Sequence, residues 1–171
     1  MQTDVSDGLA HLASQGIVDP KRACIVGASY GGYAALAGIT VQQGLYRCAV
    51  SVAGVSDLSM MVSADIVESG SDPTLKRNLK AEIGSGRKLK DVSPLRLAAK
   101  ADAPVLLIHG KDDTVVPYRQ SAVMADALKD AGKPHVLVTL NGEDHWLSKS
   151  DTRLKMLQAT VDFVKKHNPA N

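Results

Sequence analysis

The sequence predicts an α/β protein built around a parallel sheet. Its 171 residues include four short apolar runs of the kind found in buried parallel strands. Stretches with helical periodicity or turn residues separate these runs, and strands that alternate with helices predict right-handed crossovers. The predicted strands are 22–26, 47–52, 104–108 and 135–140.

Helices are expected before, between and after the strands. Val5, Leu9 and Leu12 are spaced i, i+4 and i+7, so they predict an amphipathic helix. Ser93 is the expected N-cap of a helical piece that begins at Pro94. The expected helices cover 4–15, 33–42, short pieces within 58–92, a piece from 94, 118–131 and 151–167, the last with an apolar stripe of Leu154, Leu157, Val161 and Val164.

Composition is that of an ordinary globular protein, and we expect residues 1–171 to form one domain. Apolar residues make up 44% and charged residues 22% of the chain, with a formal net charge of +2. This charge gives no reason to expect nucleic acid or an anionic membrane as a partner. No apolar run approaches the ~18 residues of a membrane-spanning helix, and no signal-peptide core is present. A cytoplasmic location is therefore expected.

The two cysteines, Cys24 and Cys48, both lie within predicted strands. We interpret them as small buried apolar residues, in preference to a disulfide or a metal site.

The most informative motif is the Gly-x-Ser-x-Gly pattern Gly27-Ala28-Ser29-Tyr30-Gly31. It follows a predicted strand and precedes a predicted helix, which is the setting of a strained nucleophile turn. We expect both flanking glycines to be required because strand and helix pass too close for a Cβ. The alternative is a glycine-rich turn without chemistry.

An acid and a histidine follow at the ends of the next two predicted strands. Asp113 lies after strand 104–108 and His145 after strand 135–140, so both are expected at the same sheet edge as Ser29. A serine hydroxyl needs a base, and the base needs an acid that orients it. Asp112 is the competing acid, which we interpret as a solvated or turn-capping residue. His109 is expected to form local hydrogen bonds, and no spacing among these groups indicates a metal site.

Three blocks of sequence resemble the signature motifs of prolyl-oligopeptidase-family serine peptidases. They are Gly27-Ala28-Ser29-Tyr30-Gly31-Gly32-Tyr33, His109-Gly110-x-x-Asp113-x-x-Val116-Pro117 and Glu143-x-His145. Within that family the similarity is greatest to acylaminoacyl-peptidase and dipeptidyl-peptidase-like bacterial members, and it covers nearly the whole chain. One departure is Asp144-His145-Trp146, because the family often has Gly-His-Gly at this motif.

The resemblance implies the C-terminal half of an α/β-hydrolase fold, with four of its parallel strands. Earlier strands and any β-propeller would then belong to a longer parent protein, and Met1 would not mark its start. The Tyr30 backbone N–H is expected to be one oxyanion donor. The second donor is expected upstream, so we expect this chain alone to be a weak catalyst, since one lost donor lowers the rate about 10²–10³-fold.

The expected activity is hydrolysis of peptide bonds through an acyl-enzyme, without a cofactor. By resemblance, the pocket for the residue before the cut bond involves Tyr30, Val55, Leu58, Met61 and Val116, and favours an apolar side chain. The segment 60–62 could instead be plain core. A carboxylesterase with the same triad and an inert fragment are the alternatives. The strand 22–26 is expected at an exposed sheet edge, which predicts a homo-oligomer.

Overall fold

The computed structural model describes residues 2–68, 70 and 72–170. Within these residues, four parallel strands form one sheet in the order β1-β2-β3-β4. The strands are β1 Cys24–Ala28, β2 Cys48–Val52, β3 Val105–Gly110 and β4 His135–Leu140. The four predicted parallel strands are confirmed, with β1 displaced by two residues from its expected bounds.

Helices occupy the expected segments between the strands. They are α1 Gln2–Ser14, α2 Tyr30–Thr40, α3 Leu58–Glu68, α4 Pro73–Glu82, α5 Arg87–Asp91, a 3₁₀ helix Pro94–Lys100, α6 Arg119–Asp130 and α7 Ser150–His167. The long segment between β2 and β3 therefore forms several short helices, as its sequence predicts.

Both faces of the sheet are covered by apolar layers. On one side, Ala49, Val105 and Leu107 pack with residues of α2, α6 and the 3₁₀ helix, and we call this the α2 face. On the other side, Val50 and Leu106 pack with α7, and we call this the α7 face. Burial on both faces explains why the central strands are continuous apolar runs.

The apolar stripe expected for α7 is wrong at three of its four positions. Leu154, Leu157 and Val161 are exposed, and the helix instead packs through Met156 and Phe163 together with neighbouring small residues. Positions 156, 159 and 163 repeat the same i, i+3, i+7 spacing, so periodicity alone could not select the buried stripe.

The interpretation of the cysteines as free apolar residues is also wrong. Cys24 and Cys48 are directly opposite each other in the register of β1 and β2, with their Cα atoms 4.7 Å apart, and their side chains form a disulfide. This separation lies within the range that a disulfide spans. The bond covalently links β1 to the adjacent strand.

Ser93 precedes the 3₁₀ helix, but its side chain does not cap it. Its Oγ donates a hydrogen bond to the Leu89 carbonyl at 2.6 Å and accepts one from the Leu58 N–H at 3.0 Å. The hydroxyl therefore connects the end of α5 to the start of α3, which replaces the expected capping role.

Among the described residues, strand β1 lies at one edge of the sheet, as the family resemblance implies, and Val26 on this strand is 52% exposed. Among the described helices, none has the length and apolar character needed to cross a lipid bilayer.

Candidate active site

Ser29 occupies a strained turn between β1 and α2. Its φ of 54° and ψ of −119° place a residue with a side chain in a backbone region that L-residues rarely adopt. The Ser29 N–H donates to the Val52 carbonyl at 2.8 Å, which ties the turn to the end of β2. The turn directs the hydroxyl toward the loop that follows β4, where His145 lies.

The glycines around Ser29 have different steric requirements. A Cβ at Gly27 would lie 2.2 Å from the Gly31 carbonyl oxygen, and one at Gly32 would lie 2.7 Å from the Gly54 Cα. At Gly31, in contrast, a Cβ would meet no described atom within 4 Å apart from its chain neighbours and the backbone of its own helix. The expectation that both motif glycines are sterically required therefore holds for Gly27 and is wrong for Gly31.

Asp113 is the buried acid in the loop after β3. Its Oδ1 accepts hydrogen bonds from the backbone N–H groups of Val115 at 2.9 Å and Val116 at 2.8 Å. Its Oδ2 remains directed at the His145 ring, with 2.8 Å between Oδ2 and Nδ1. Asp112, the competing acid, is exposed on the same loop.

His145 connects the other two side chains. Its Nε2 lies 3.0 Å from Ser29 Oγ, while its Nδ1 faces Asp113 Oδ2. An ionised carboxylate only accepts hydrogen bonds, so the proton on the ring belongs on Nδ1 and Nε2 is free to accept from the hydroxyl. The structure thus brings the three predicted side chains into one hydrogen-bonded row.

The loops that carry the acid and the histidine are joined to each other. The Asp112 N–H donates to the Glu143 carbonyl at 3.0 Å, and a Cβ at Gly110 would lie 2.4 Å from that same oxygen. The Glu143 side chain is fully buried and accepts hydrogen bonds from the backbone N–H of Asp144 and from the Thr152 hydroxyl. These bonds fix His145 relative to the acid loop.

His109 contacts Asp113 and forms local hydrogen bonds, as predicted from the sequence. Its Nε2 lies 2.8 Å from the Val116 carbonyl oxygen and 3.2 Å from Asp113 Oδ2, while Nδ1 lies 2.7 Å from the Ser121 hydroxyl. A carbonyl only accepts, so Nε2 carries the hydrogen and Nδ1 accepts from Ser121. Burial lowers the pKa of His109, which keeps the ring neutral.

Sequence reasoning missed Ser121 and Gln120, both buried at the start of α6. The Gln120 Oε1 accepts from the backbone N–H groups of Ser56 at 3.0 Å and Asp57 at 2.8 Å. This side chain therefore pins the loop after β2 to α6. The unusual burial of a glutamine could not be read from the helical periodicity, which counts only apolar positions.

The residues expected to line the acyl pocket belong to α2, α3 and the loops after β2 and β3. Tyr30 begins α2, so its N–H has no intrahelical acceptor. Val55 and Val116 are buried, while Leu58 and Met61 are half-buried on the first turns of α3. The start of α3 is fixed by a hydrogen bond of 3.0 Å from the Met60 N–H to Asp57 Oδ1.

No group of three or more His, Cys, Asp or Glu side chains suited to a metal ion occurs among the described residues.

Comparison with known proteins identifies what this arrangement is similar to. The family model described as "Prolyl oligopeptidase family" matches residues 1–169. Dipeptidyl aminopeptidase BIII of Pseudoxanthomonas mexicana is 27% identical over 167 residues, which are 96% of this chain and 24% of the relative. Bovine (Bos taurus) dipeptidyl peptidase 4 is 30% identical over 162 residues, which are 95% of this chain and 20% of the relative.

Solved structures give the same result. A puromycin-hydrolysing peptidase of Mycobacterium tuberculosis superposes with a TM-score of 0.84 at 33% identity, over 96% of this chain and 24% of that one. An acylaminoacyl peptidase in complex with Z-Gly-Gly-Phe-chloromethyl ketone gives a TM-score of 0.84 at 25% identity, over 99% of this chain and 28% of that one. The chain therefore spans about a quarter of the length of these proteins.

Proposed function

The chain belongs to the prolyl oligopeptidase family of serine peptidases, and we propose that it hydrolyses peptide bonds through an acyl-enzyme on Ser29. The observation that carries the proposal is the row of hydrogen bonds from Ser29 Oγ to His145 Nε2 at 3.0 Å and from His145 Nδ1 to Asp113 Oδ2 at 2.8 Å. We assign residues 1–171 to a catalytic domain with the α/β-hydrolase fold.

The proposed reaction has two acyl-transfer steps. Ser29 Oγ attacks the scissile carbonyl carbon while His145 Nε2 takes the hydroxyl proton and then gives it to the leaving nitrogen as the C–N bond breaks. Water then attacks the ester carbon, loses a proton to His145, and releases the acid as Ser29 regains its hydrogen. Asp113 holds the Nδ1–H tautomer and stabilises the imidazolium that forms in each step.

We propose the Tyr30 N–H as one donor to the oxyanion. Tyr30 is the first residue of α2, so its N–H lies at the positive end of the helix dipole. A developing negative charge on the carbonyl oxygen is best stabilised by more than one such donor.

The proposed acyl pocket comprises the residues Tyr30, Val55, Leu58, Met61 and Val116, which favour an apolar residue before the cut bond. Leu58 and Met61 are half-buried, so their apolar side chains are partly accessible to a substrate. The acylaminoacyl peptidase carries an inhibitor with phenylalanine next to its reactive group. By analogy, we expect phenylalanine or leucine to be accepted at this position.

The experiment compares peptide and ester substrates that share one acyl group. Wild-type protein and the Ser29→Ala variant receive an aminoacyl anilide with phenylalanine before the cut bond and the corresponding p-nitrophenyl ester. Cleavage of both by wild type alone supports the peptidase. Cleavage of the ester alone favours a carboxylesterase, and cleavage of neither contradicts the proposal.

We also propose self-association through the exposed edge of β1, since an unpaired strand edge is a template for pairing with another chain. Light scattering should give a mass above the monomer's 18.0 kDa. A monodisperse monomer would contradict it. We also propose a cytoplasmic location, a reducing compartment in which the disulfide between Cys24 and Cys48 would be opened to two thiols. Counting free thiols in protein alkylated inside intact cells tests location and redox state together.

A further inference from the structure

A small cavity opens beside Ser29 and His145 on the α7 face of the sheet. It encloses about 260 Å³. Its walls are the two polar residues Ser29 and His145 and the five apolar residues Ala28, Val52, Ala53, Trp146 and Leu147. An apolar cavity with two reactive polar groups in its lining has the composition of a ligand subsite.

The lining of this cavity and that of the proposed acyl pocket draw on different faces of the sheet. Ala28 and Val52 are paired at the ends of β1 and β2, and Val52 belongs to the apolar layer beneath α7, as does Leu147. Leu58 and Met61 belong to α3, which packs with α5 and, through it, with the 3₁₀ helix on the α2 face. No residue is shared between the cavity lining and the acyl pocket.

Trp146 lines the cavity and is 76% exposed. It stands edge-on to the His145 ring, with centroids 5.4 Å apart and an interplanar angle of 88°. Asp144 fixes the loop, because its Oδ1 accepts from the Trp146 N–H at 2.9 Å and its Oδ2 from the Ser148 hydroxyl at 2.6 Å. These hydrogen bonds lower the pKa of Asp144, so the carboxylate stays ionised.

The chemistry of the leaving group selects an occupant for the cavity. During acyl transfer, His145 Nε2 must come within hydrogen-bond reach of the leaving nitrogen. The residue after the cut bond is attached to that nitrogen, so its side chain lies on the His145 side of Ser29. We propose that Trp146 forms a subsite for this residue and selects a large apolar side chain there. The inference rests on the proposed acyl-enzyme mechanism.

The first test measures how an acyl-enzyme divides between water and added amines. A p-nitrophenyl ester acylates Ser29 and releases nitrophenol. The α-amino nitrogen of an amino acid amide then attacks the ester carbon, and His145 takes a proton from that nitrogen. His145 passes the proton to Ser29 Oγ as the ester bond breaks. The ratio of amide product to acid product reports how well the amine occupies the subsite.

We expect leucinamide to be favoured over glycinamide about tenfold in wild type, because an apolar pocket discriminates by buried side-chain area. Trp146→Ala should bring this preference close to unity, and Trp146→Phe should restore most of it. The ratio is formed after acylation, so a change in the nitrophenol burst of Trp146→Ala, whose wild-type ring contacts His145, does not enter it. An unchanged preference in Trp146→Ala would overturn the inference.

The second test does not need turnover. Trp146 is the single tryptophan of the chain, so its fluorescence reports on this subsite alone. In the Ser29→Ala variant, leucinamide should shift the emission to shorter wavelength with saturation, and glycinamide should not. No saturable shift with leucinamide would overturn the subsite even if acylation occurs. A missing nitrophenol burst together with a saturable shift would contradict the proposed function and leave the subsite supported.

Discussion

The site has a nucleophile half, which is Ser29 after β1, and an acid half, which is Asp113 after β3. Strands β1 and β3 hold these two halves in different ways. All six residues of β3 are buried, and His109 of this strand is hydrogen-bonded to α6. The acid loop that follows β3 is joined by hydrogen bonds to β4 and to the histidine loop. Strand β1 lies at the sheet edge, where Ile25 is its single buried residue. The nucleophile is therefore carried by the less protected strand.

The comparison shows that the acid half is fixed by polar contacts and the nucleophile half by close packing. Asp113 receives two backbone hydrogen bonds and faces two histidines. Ser29 is positioned by one backbone bond to Val52, by the backbone contact between Gly27 and Gly31, and by the disulfide of its strand. Changes in the acid half should mainly lower the rate of acylation, whereas changes in the nucleophile half should mainly lower the free energy of unfolding.

The largest expected effect is loss of the acid. Asp113→Asn should lower the rate of Ser29 acylation about 10⁴-fold, because the amide stabilises the wrong histidine tautomer. Burst kinetics with a p-nitrophenyl ester measure this rate. Asp112→Asn is the matched control on the same loop and should stay within about twofold of wild type, since its side chain is exposed. A comparable loss in both variants would refute the distinction between the two acids.

Next in size is the effect of a methyl group at Gly27. Gly27→Ala should lower the free energy of unfolding by about 3 kcal/mol, since its Cβ overlaps the backbone of α2. Gly31→Ala is the control and should change it by less than about 1 kcal/mol. Urea denaturation followed by circular dichroism measures both. Equal destabilisation would show that the turn is packed differently from this structure.

Reduction of the disulfide should weaken the nucleophile half. Opening the bond between Cys24 and Cys48, which lie 24 residues apart, should lower the free energy of unfolding by about 3 kcal/mol. Thermal unfolding with and without dithiothreitol measures the change. The double variant Cys24→Ala with Cys48→Ala should not respond to dithiothreitol. Indifference of the wild type to the reductant would mean that the bond does not constrain β1.

The smallest expected effect is a pH dependence from His109. Its pKa lies below the ordinary 6.5 in the folded protein, so the unfolded chain binds a proton that the folded chain does not. Stability therefore falls as pH drops below about 6.5. The free energy of unfolding between pH 7.5 and 5.5 should fall less steeply in His109→Gln than in wild type. Parallel slopes would contradict a neutral buried His109.

Much of the site follows from sequence because its residues stand next to strand ends. Ser29, Asp113 and His145 each follow an apolar run, and parallel topology brings such positions to one edge. The disulfide was missed because pairing depends on the register of β1 and β2, which short apolar runs do not determine. The buried stripe of α7 was assigned to the wrong residues, because positions 154, 157 and 161 have the same spacing as positions 156, 159 and 163, which pack against the sheet. The roles of Ser121 and Gln120 depend on tertiary contacts of buried polar groups, for which local sequence carries no signal.

The most direct measurement of the central claim is labelling with a fluorophosphonate, which phosphonylates an activated serine. Intact mass and peptide mapping should show one label per chain, on Ser29, in wild type. The His145→Ala variant should remain unlabelled while keeping the circular dichroism spectrum of the wild type. Labelling at another serine, or equal labelling in His145→Ala, would contradict the account of Ser29 as a nucleophile activated by His145.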